Sequence, residues 1–170
     1  MTLRDFRPGD AEAVHGWFND GRVTADLVGS RTEFTLEDAA AWVGRAMDTS
    51  VDRKWAITID GSDDAVGFVA LFGLDRQLGP ELAVLVGEPS AWGKGVAREA
   101  ERQACNRAFS EYEAHRIHAE IPATNEAAQK VVTFLGFRCE GVMKAAIVRG
   151  DERVDNQVWG LLPEDFKGWD

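Results

Sequence analysis

The amino-acid sequence predicts an α+β domain: a mixed, mostly antiparallel sheet flanked by about four helices. Three observations carry that prediction. Short apolar or alternating runs at 3–6, 55–59, 66–71, 82–86, 116–121, 137–148 and 154–162 have the length and spacing of strands. Apolar stripes of helical period cover 11–18, 39–47, 96–109 and 125–135. Their order is roughly β-α-α-β-β-β-α-β-α-β-β, which mixes strands joined by tight turns with strands joined through helices.

Taken in order, Leu3 to Phe6 alternates as a first strand. Pro8-Gly9-Asp10 then opens a helix through Ala11, Val14, Trp17 and Phe18 that ends near Asn19-Asp20-Gly21. Gly21 to Phe34 reads as a polar connection. Thr35-Leu36-Glu37-Asp38 resembles a capping box with a shortened acid at its fourth position, so a helix follows with Ala39, Trp42, Val43, Ala46 and Met47 on its inner face. Trp55–Ile59 and Val66–Leu71 form a hairpin across Asp60-Gly61-Ser62-Asp63-Asp64. After a loop at 75–79, Leu82 to Val86 is an apolar run too short for a buried helix, closed by Gly87 and Pro89. From Val96 onward Ala97, Ala100, Ala104 and Ala108 make one helical stripe, with Arg98, Glu99, Glu101, Arg102 and Arg107 assigned to the outer face. Arg116–Ile121 is a strand, and Asn125–Leu135 a helix with Ala128, Val131, Val132 and Leu135 inward. The last two strands pair across Arg149-Gly150-Asp151-Glu152.

Composition narrows the function. A chain of 170 residues with 45% apolar content supports one domain, 1–170, with a core that needs no staples. Cys105 and Cys139 have no paired spacing and no histidine cluster, which argues against a disulfide framework or a zinc site and fits a reducing, cytoplasmic setting. Neither a secretory signal nor an apolar run of membrane-spanning length is expected. A net charge of −10 argues against nucleic acid as a partner, since such binding draws on a basic face.

Chemistry concentrates at 81–109, a strand, a glycine-rich turn and a long helix. The first turn of a helix leaves N–H groups unpaired, and the aligned peptide dipoles place partial positive charge there. Gly93-Lys94-Gly95 at that position lets the backbone come close to an anion. Two familiar phosphate loops are excluded. Lys94 is followed by Gly95 and Val96 where a P-loop needs Ser or Thr, and Arg98 stands where a dinucleotide fingerprint has its third glycine. The residues alone leave a tight strand-to-helix connection as the other reading.

Trp92-Gly93-Lys94-Gly95-Val96-Ala97, three residues after Pro89, resembles the pyrophosphate loop of the GNAT acetyltransferase superfamily, Gln/Arg-x-x-Gly-x-Gly/Ala, with Trp92 replacing Gln or Arg. Asn125-Glu126-Ala127-Ala128, then Leu135-Gly136-Phe137 and Glu140-Gly141, are similar to a second signature of the branch that acetylates ribosomal-protein N-termini and small amines. The resemblance implies a GNAT-like strand order and acetyl-CoA as co-substrate, with no metal. It implies that Leu85, Val86 and Gly87 contact the acetyl-pantetheine arm through their backbone and that the amides of Trp92, Gly93, Lys94, Gly95, Val96 and Ala97 hold the pyrophosphate. Lys94 and Arg98 lie within reach of phosphate on this reading, and Asn125 hydrogen-bonds the pantetheine.

The acceptor is then a primary amine, from a protein N-terminus or from a small molecule such as an amino sugar, aminoglycoside or polyamine. A lysine-like amine, with pKa near 10.4, is neutral about once in 10³ molecules at pH 7, so a base matters. The resemblance points to Glu81 for that role, against a plain solvent-facing strand end. His118 is a second, weaker candidate, and Asp20, Asp26 and Glu33 are candidates for attracting a cationic amine. The family's tyrosine and serine acids fall on Val132 and Ala128, which leaves the general acid unassigned and keeps a non-catalytic acyl-CoA sensor as the alternative. A homodimer stays open.

Overall fold

A computed structural model describes residues 1–25, 33–59, 61–149 and 151–169. The element order is β1 (Thr2–Asp5), α1 (Ala11–Asn19), α2 (Gly21–Thr24), α3 (Leu36–Met47), β2 (Arg53–Thr58), β3 (Gly67–Phe72), β4 (Glu81–Val86), α4 (Val96–Ser110), β5 (Ile117–Pro122), α5 (Glu126–Leu135), β6 (Arg138–Arg149) and β7 (Glu152–Leu161). Seven strands form one sheet in the order β1-β2-β3-β4-β5-β7-β6. Every neighbouring pair is antiparallel except β4 and β5, which run parallel.

Strand alternation sorts the side chains onto two faces. On the back, Trp55, Ile57, Val69, Leu71, Leu82, Ile117 and Ala119 form a core with Ala100, Ala104 and Ala108 of α4 and with Val132 and Leu135 of α5. On the front, Ala56 and Leu85 pack with Val14, Trp17 and Phe18 of α1 and with Ala39, Val43 and Ala46 of α3. The capping box of α3 is formed: Thr35 accepts from the Asp38 amide, and Asp38 accepts from the Thr35 amide at 3.0 Å.

Three sequence expectations change. The connection after α1 begins with a turn of helix, α2, because Asp20 accepts a hydrogen bond from the Arg22 amide at 2.9 Å and caps it. Met47 is 46% exposed, so the buried face of α3 stops at Ala46. Glu101 is 4% exposed and belongs to the buried arc of α4, not to its outer face. C-terminal residues also lie on the helix. Arg102 donates to the Gly168 carbonyl at 2.9 Å, and Phe109 stacks with Phe166 and Trp169.

β6 is the free edge of the sheet on one side. Its pairing with β7 shifts register between Cys139 and Gly141 and again between Met143 and Ile147. In the second shift Ala145 takes a φ of +52°, its amide donates to Asp155 at 2.9 Å, and Lys144 pairs with the same carboxylate at 2.8 Å.

Candidate active site

The parallel pair opens almost as soon as it forms. Glu81 stands in register with His118, and the His118 amide donates to the Pro80 carbonyl at 3.0 Å. Beyond that point no ladder joins β4 to β5 among the described residues, although β4 stays paired to β3 along its whole length. A gap therefore separates the C-terminal halves of two neighbouring strands. Backbone alternation turns the polar groups of Leu82, Val84 and Val86 toward it and those of Leu85 toward β3. The Gly87 amide is bonded to the Val66 carbonyl at 2.9 Å. Of Leu85, Val86 and Gly87, Val86 is thus the residue whose backbone faces the gap.

Gly87 has a packing reason of its own. A Cβ there would lie 2.2 Å from the Trp17 indole of α1, and that indole donates to Glu88 at 3.1 Å. Glu88 is therefore an anchor for Trp17.

The chain then turns through Pro89–Ala91 into the loop ahead of α4. Gly93 and Gly95 have φ of +71° and +77°, a left-handed region that side-chain-bearing residues enter at a cost. No backbone hydrogen bond of ordinary geometry is made by the N–H groups of Gly93, Lys94, Gly95, Val96, Ala97 or Arg98 to any described residue. Gly95 caps α4 without a side chain. This unbroken run of free donors sits at the positive end of a 15-residue helix and can hold a polyanion. Trp92 closes the corner: 43% exposed, it donates from its indole to the Val86 carbonyl at 2.8 Å. Lys94 is exposed. Arg98 stacks its guanidinium over Phe134 of α5 at 4.9 Å and hangs beside Gly95, 3.6 Å from where a Cβ would be.

On the far wall, Asn125 caps α5 by accepting from the Ala128 amide at 3.1 Å, which leaves its NH₂ without an acceptor among the described residues. Val132 is 1% exposed in the back core, so the position of the family's tyrosine is a packing position here. Tyr112 lies just beyond the C-terminal end of α4 and packs against that core.

On the front, Glu81 is half-buried beside His118, where the strands part, and has no side-chain hydrogen bond to a described residue. Two steps further along β5, Glu120 accepts from Asn156 of β7 at 2.8 Å. Sequence reading passed over both Glu120 and Asn156. The alternation Ile117-His118-Ala119-Glu120-Ile121 does put His118 and Glu120 on the polar side of β5, but nothing local links residue 156 to it. Of the acids near the early loop, Asp20 is taken up by Arg22 at 2.6 Å, whose guanidinium holds its pKa at about 2. Glu33 is exposed, and Asp26 lies outside the described residues. Among the described residues no group of three His, Cys, Asp or Glu side chains could hold a metal ion, and no helix is long and apolar enough to cross a membrane.

A mixed sheet split between two parallel strands, with an anion-ready helix start at the mouth of the split, is the architecture of an acyltransferase that works from a phosphate-bearing donor. The family model of the acetyltransferase (GNAT) domain matches residues 1–138. The chain is 26% identical over 166 residues to YnaD of Bacillus subtilis, an uncharacterized N-acetyltransferase, with 98% of this chain and 95% of that protein aligned. It superposes on a GNAT-family acetyltransferase from Bacillus anthracis with a TM-score of 0.80 at 28% identity, covering 95% and 94% of the two chains. The spermidine N-acetyltransferase of Vibrio cholerae, solved with CoA and spermine, superposes with a TM-score of 0.85 over 96% of each chain, and at 19% identity this likeness concerns the fold. The protein belongs to the GNAT acetyltransferase family, whose members use acetyl-CoA as the acetyl donor.

Proposed function

We propose that this acetyltransferase acetylates a primary amine, holding acetyl-CoA across the gap between β4 and β5 with its pyrophosphate on the amides of 93–98. The observation that carries the proposal is that run of unpaired donors at the mouth of the gap. Acetyl-CoA supplies an acetyl group already activated as a thioester. The protein's part is to hold and orient it. Lys94 and Arg98 add positive charge beside the loop, the Val86 amide faces the pantetheine arm from β4, and the NH₂ of Asn125 reaches it from the α5 side. Ordered backbone amides suit this task because they need no reorganisation when the anion arrives.

The amine must shed a proton before or during attack. Glu81, at the point where the strands separate, takes that proton directly or through one water. The thiol left behind has an ordinary pKa near 8.5 and departs as an anion without a side-chain acid, which accords with Val132 and Ala128 at the positions where relatives carry one. Protein N-termini and small amines both satisfy this chemistry.

Free-thiol release measured across a panel of primary amines tests the reading. Acetyl-CoA should raise the melting temperature by mass action, and NAD or ATP should raise it less. Glu81→Gln should lower turnover more at pH 7 than at pH 9, where more of the amine is already neutral. Equal losses at both pH values would return Glu81 to the status of a strand-end charge.

A further inference from the structure

We infer that Phe134 of α5 is a positioning residue for the acetyl donor: its ring holds the Arg98 guanidinium beside the loop at 93–95, aimed at a phosphate of acetyl-CoA. The inference rests on the donor-site reading above and adds the residue that sets the aim of the loop's arginine.

Arg98 stands where a cation is least welcome. It is the third residue of α4, in the first turn, where the peptide dipoles already place positive charge. The acid beside it does not compensate. Glu99 accepts from Arg102 at 3.0 Å and from Gln103 at 2.9 Å, and the Arg102 guanidinium holds its carboxyl below the usual range. Arg98 itself makes no hydrogen bond or ion pair with a described residue. Lys94, exposed one residue before Gly95, adds a further positive charge. Cations gathered at a helix start and left unneutralised by the protein suit an anion from outside.

What fixes Arg98 is an aromatic ring. Phe134 belongs to the last turn of α5, off its buried stripe of Val132 and Leu135, and is 57% exposed. A lone exposed phenylalanine is ordinary. One with a guanidinium carbon 4.9 Å from its ring centroid is half of a cation–π pair. A guanidinium held through its flat face keeps its N–H groups at the free edge, where they can fork onto phosphate oxygens. That edge lies by the loop, with Nη2 3.6 Å from the place of a Gly95 Cβ. The side-chain fork and the unpaired amides of 93–98 thus border the same space. Without the ring, a long side chain repelled by the helix start would spread over its rotamers, and binding would have to order it again. The pair joins two helices, so α5 meets the donor at both ends, through Asn125 at its start and through Phe134 and Arg98 at its close.

Calorimetric titration with CoA tests the inference. Arg98→Ala should weaken CoA binding about tenfold or more, as expected for loss of a charged hydrogen bond to phosphate. Phe134→Leu keeps apolar bulk but offers no ring, and should weaken binding about two- to fivefold, the measure of an exposed cation–π contact. Phe134→Tyr restores a ring and should bind CoA as wild type does. The melting temperatures of both Phe134 variants without CoA should match that of wild type. The double variant decides the mechanism: with Arg98→Ala in place, Phe134→Leu should have no further effect. Wild-type affinity in Phe134→Leu overturns the inference. So do losses that add in full in the double variant, since the ring would then act on CoA by itself. If wild type does not bind CoA, the donor-site reading falls. If wild type binds CoA and Arg98→Ala binds it equally well, that reading stands and the role of Phe134 falls alone.

Discussion

Replacing Glu101 with glutamine removes an ionisable proton from the back core and should reshape the protein's stability against pH. Burial alone pushes the Glu101 carboxyl up to about 8 from an ordinary 4.5, because a charge under α4 would lack both water and a hydrogen-bond partner. Between those two values the folded protein keeps a proton that the unfolded chain has lost. Stability is therefore full below pH 4.5 and declines as pH rises through 8, where the folded form ionises too. At about 1.4 kcal/mol per pH unit the decline reaches about 3 kcal/mol by pH 7 and, with the folded group then half ionised, about 4 kcal/mol by pH 8. Glutamine has the same size and no proton to lose. Its amide gains a buried donor that costs about 1–3 kcal/mol at every pH. The variant should accordingly be the less stable protein at pH 5 and the more stable one at pH 9. Urea unfolding of both proteins at the two pH values measures the crossing. Parallel stability curves for wild type and variant would refute the argument, since they would mean that Glu101 ionises alike in the folded and unfolded states.

Other outcomes follow from single contacts. Gly95→Ala should cost about 1–2 kcal/mol of stability through its φ of +77°, and should also weaken acetyl-CoA binding by calorimetry; Gly93→Ala, at +71°, should do the same. Gly87→Ala would drive a methyl into the Trp17 indole, so its melting temperature should fall by more than that of either loop variant. Thr35→Ala removes one half of the α3 capping box and should lower stability by about 1 kcal/mol in chemical denaturation. Native protein treated with iodoacetamide should be modified at exposed Cys139 alone, because burial, and then the neighbouring Glu101 carboxylate, push the Cys105 thiol well above its ordinary pKa; labelling of Cys105 at the same rate would contradict the core packing.

What could be read from the sequence was what local chemistry writes there. The Thr35–Asp38 cap, the hairpin at 55–71 and the strand–turn–helix at 81–109 are each decided within a few residues, and each stands where the pattern puts it. The turn at 93–95 was legible for the same reason: two glycines ahead of an amphipathic helix mark its start, and both take the left-handed backbone that glycine allows. The gap was not legible, because it depends on which strands lie side by side and how far they stay paired. Glu101 went astray for a different cause. Its position is four residues from Ala97, three from Ala104 and seven from Ala108, inside the buried stripe, and its charge alone argued for an outer face. Asn156 and Glu120 meet only through the β5–β7 register, across 36 residues of chain.

The two register shifts in β6 bear on how the molecule behaves at high concentration. A free edge strand is a template for further strands, and this one exposes Val142, Met143 and Val148. Continuous growth of the sheet would need an unbroken row of outward amides and carbonyls. At Ala145 the backbone swings into the left-handed region and its amide turns inward to Asp155, while Lys144 brings a charge to the same stretch. The row is thereby cut into short pieces, too brief to zip onto another molecule's edge. The bulge acts as a terminator for polymerisation, and removing residue 145 to straighten the strand should lower the concentration at which the protein begins to form fibrous aggregates.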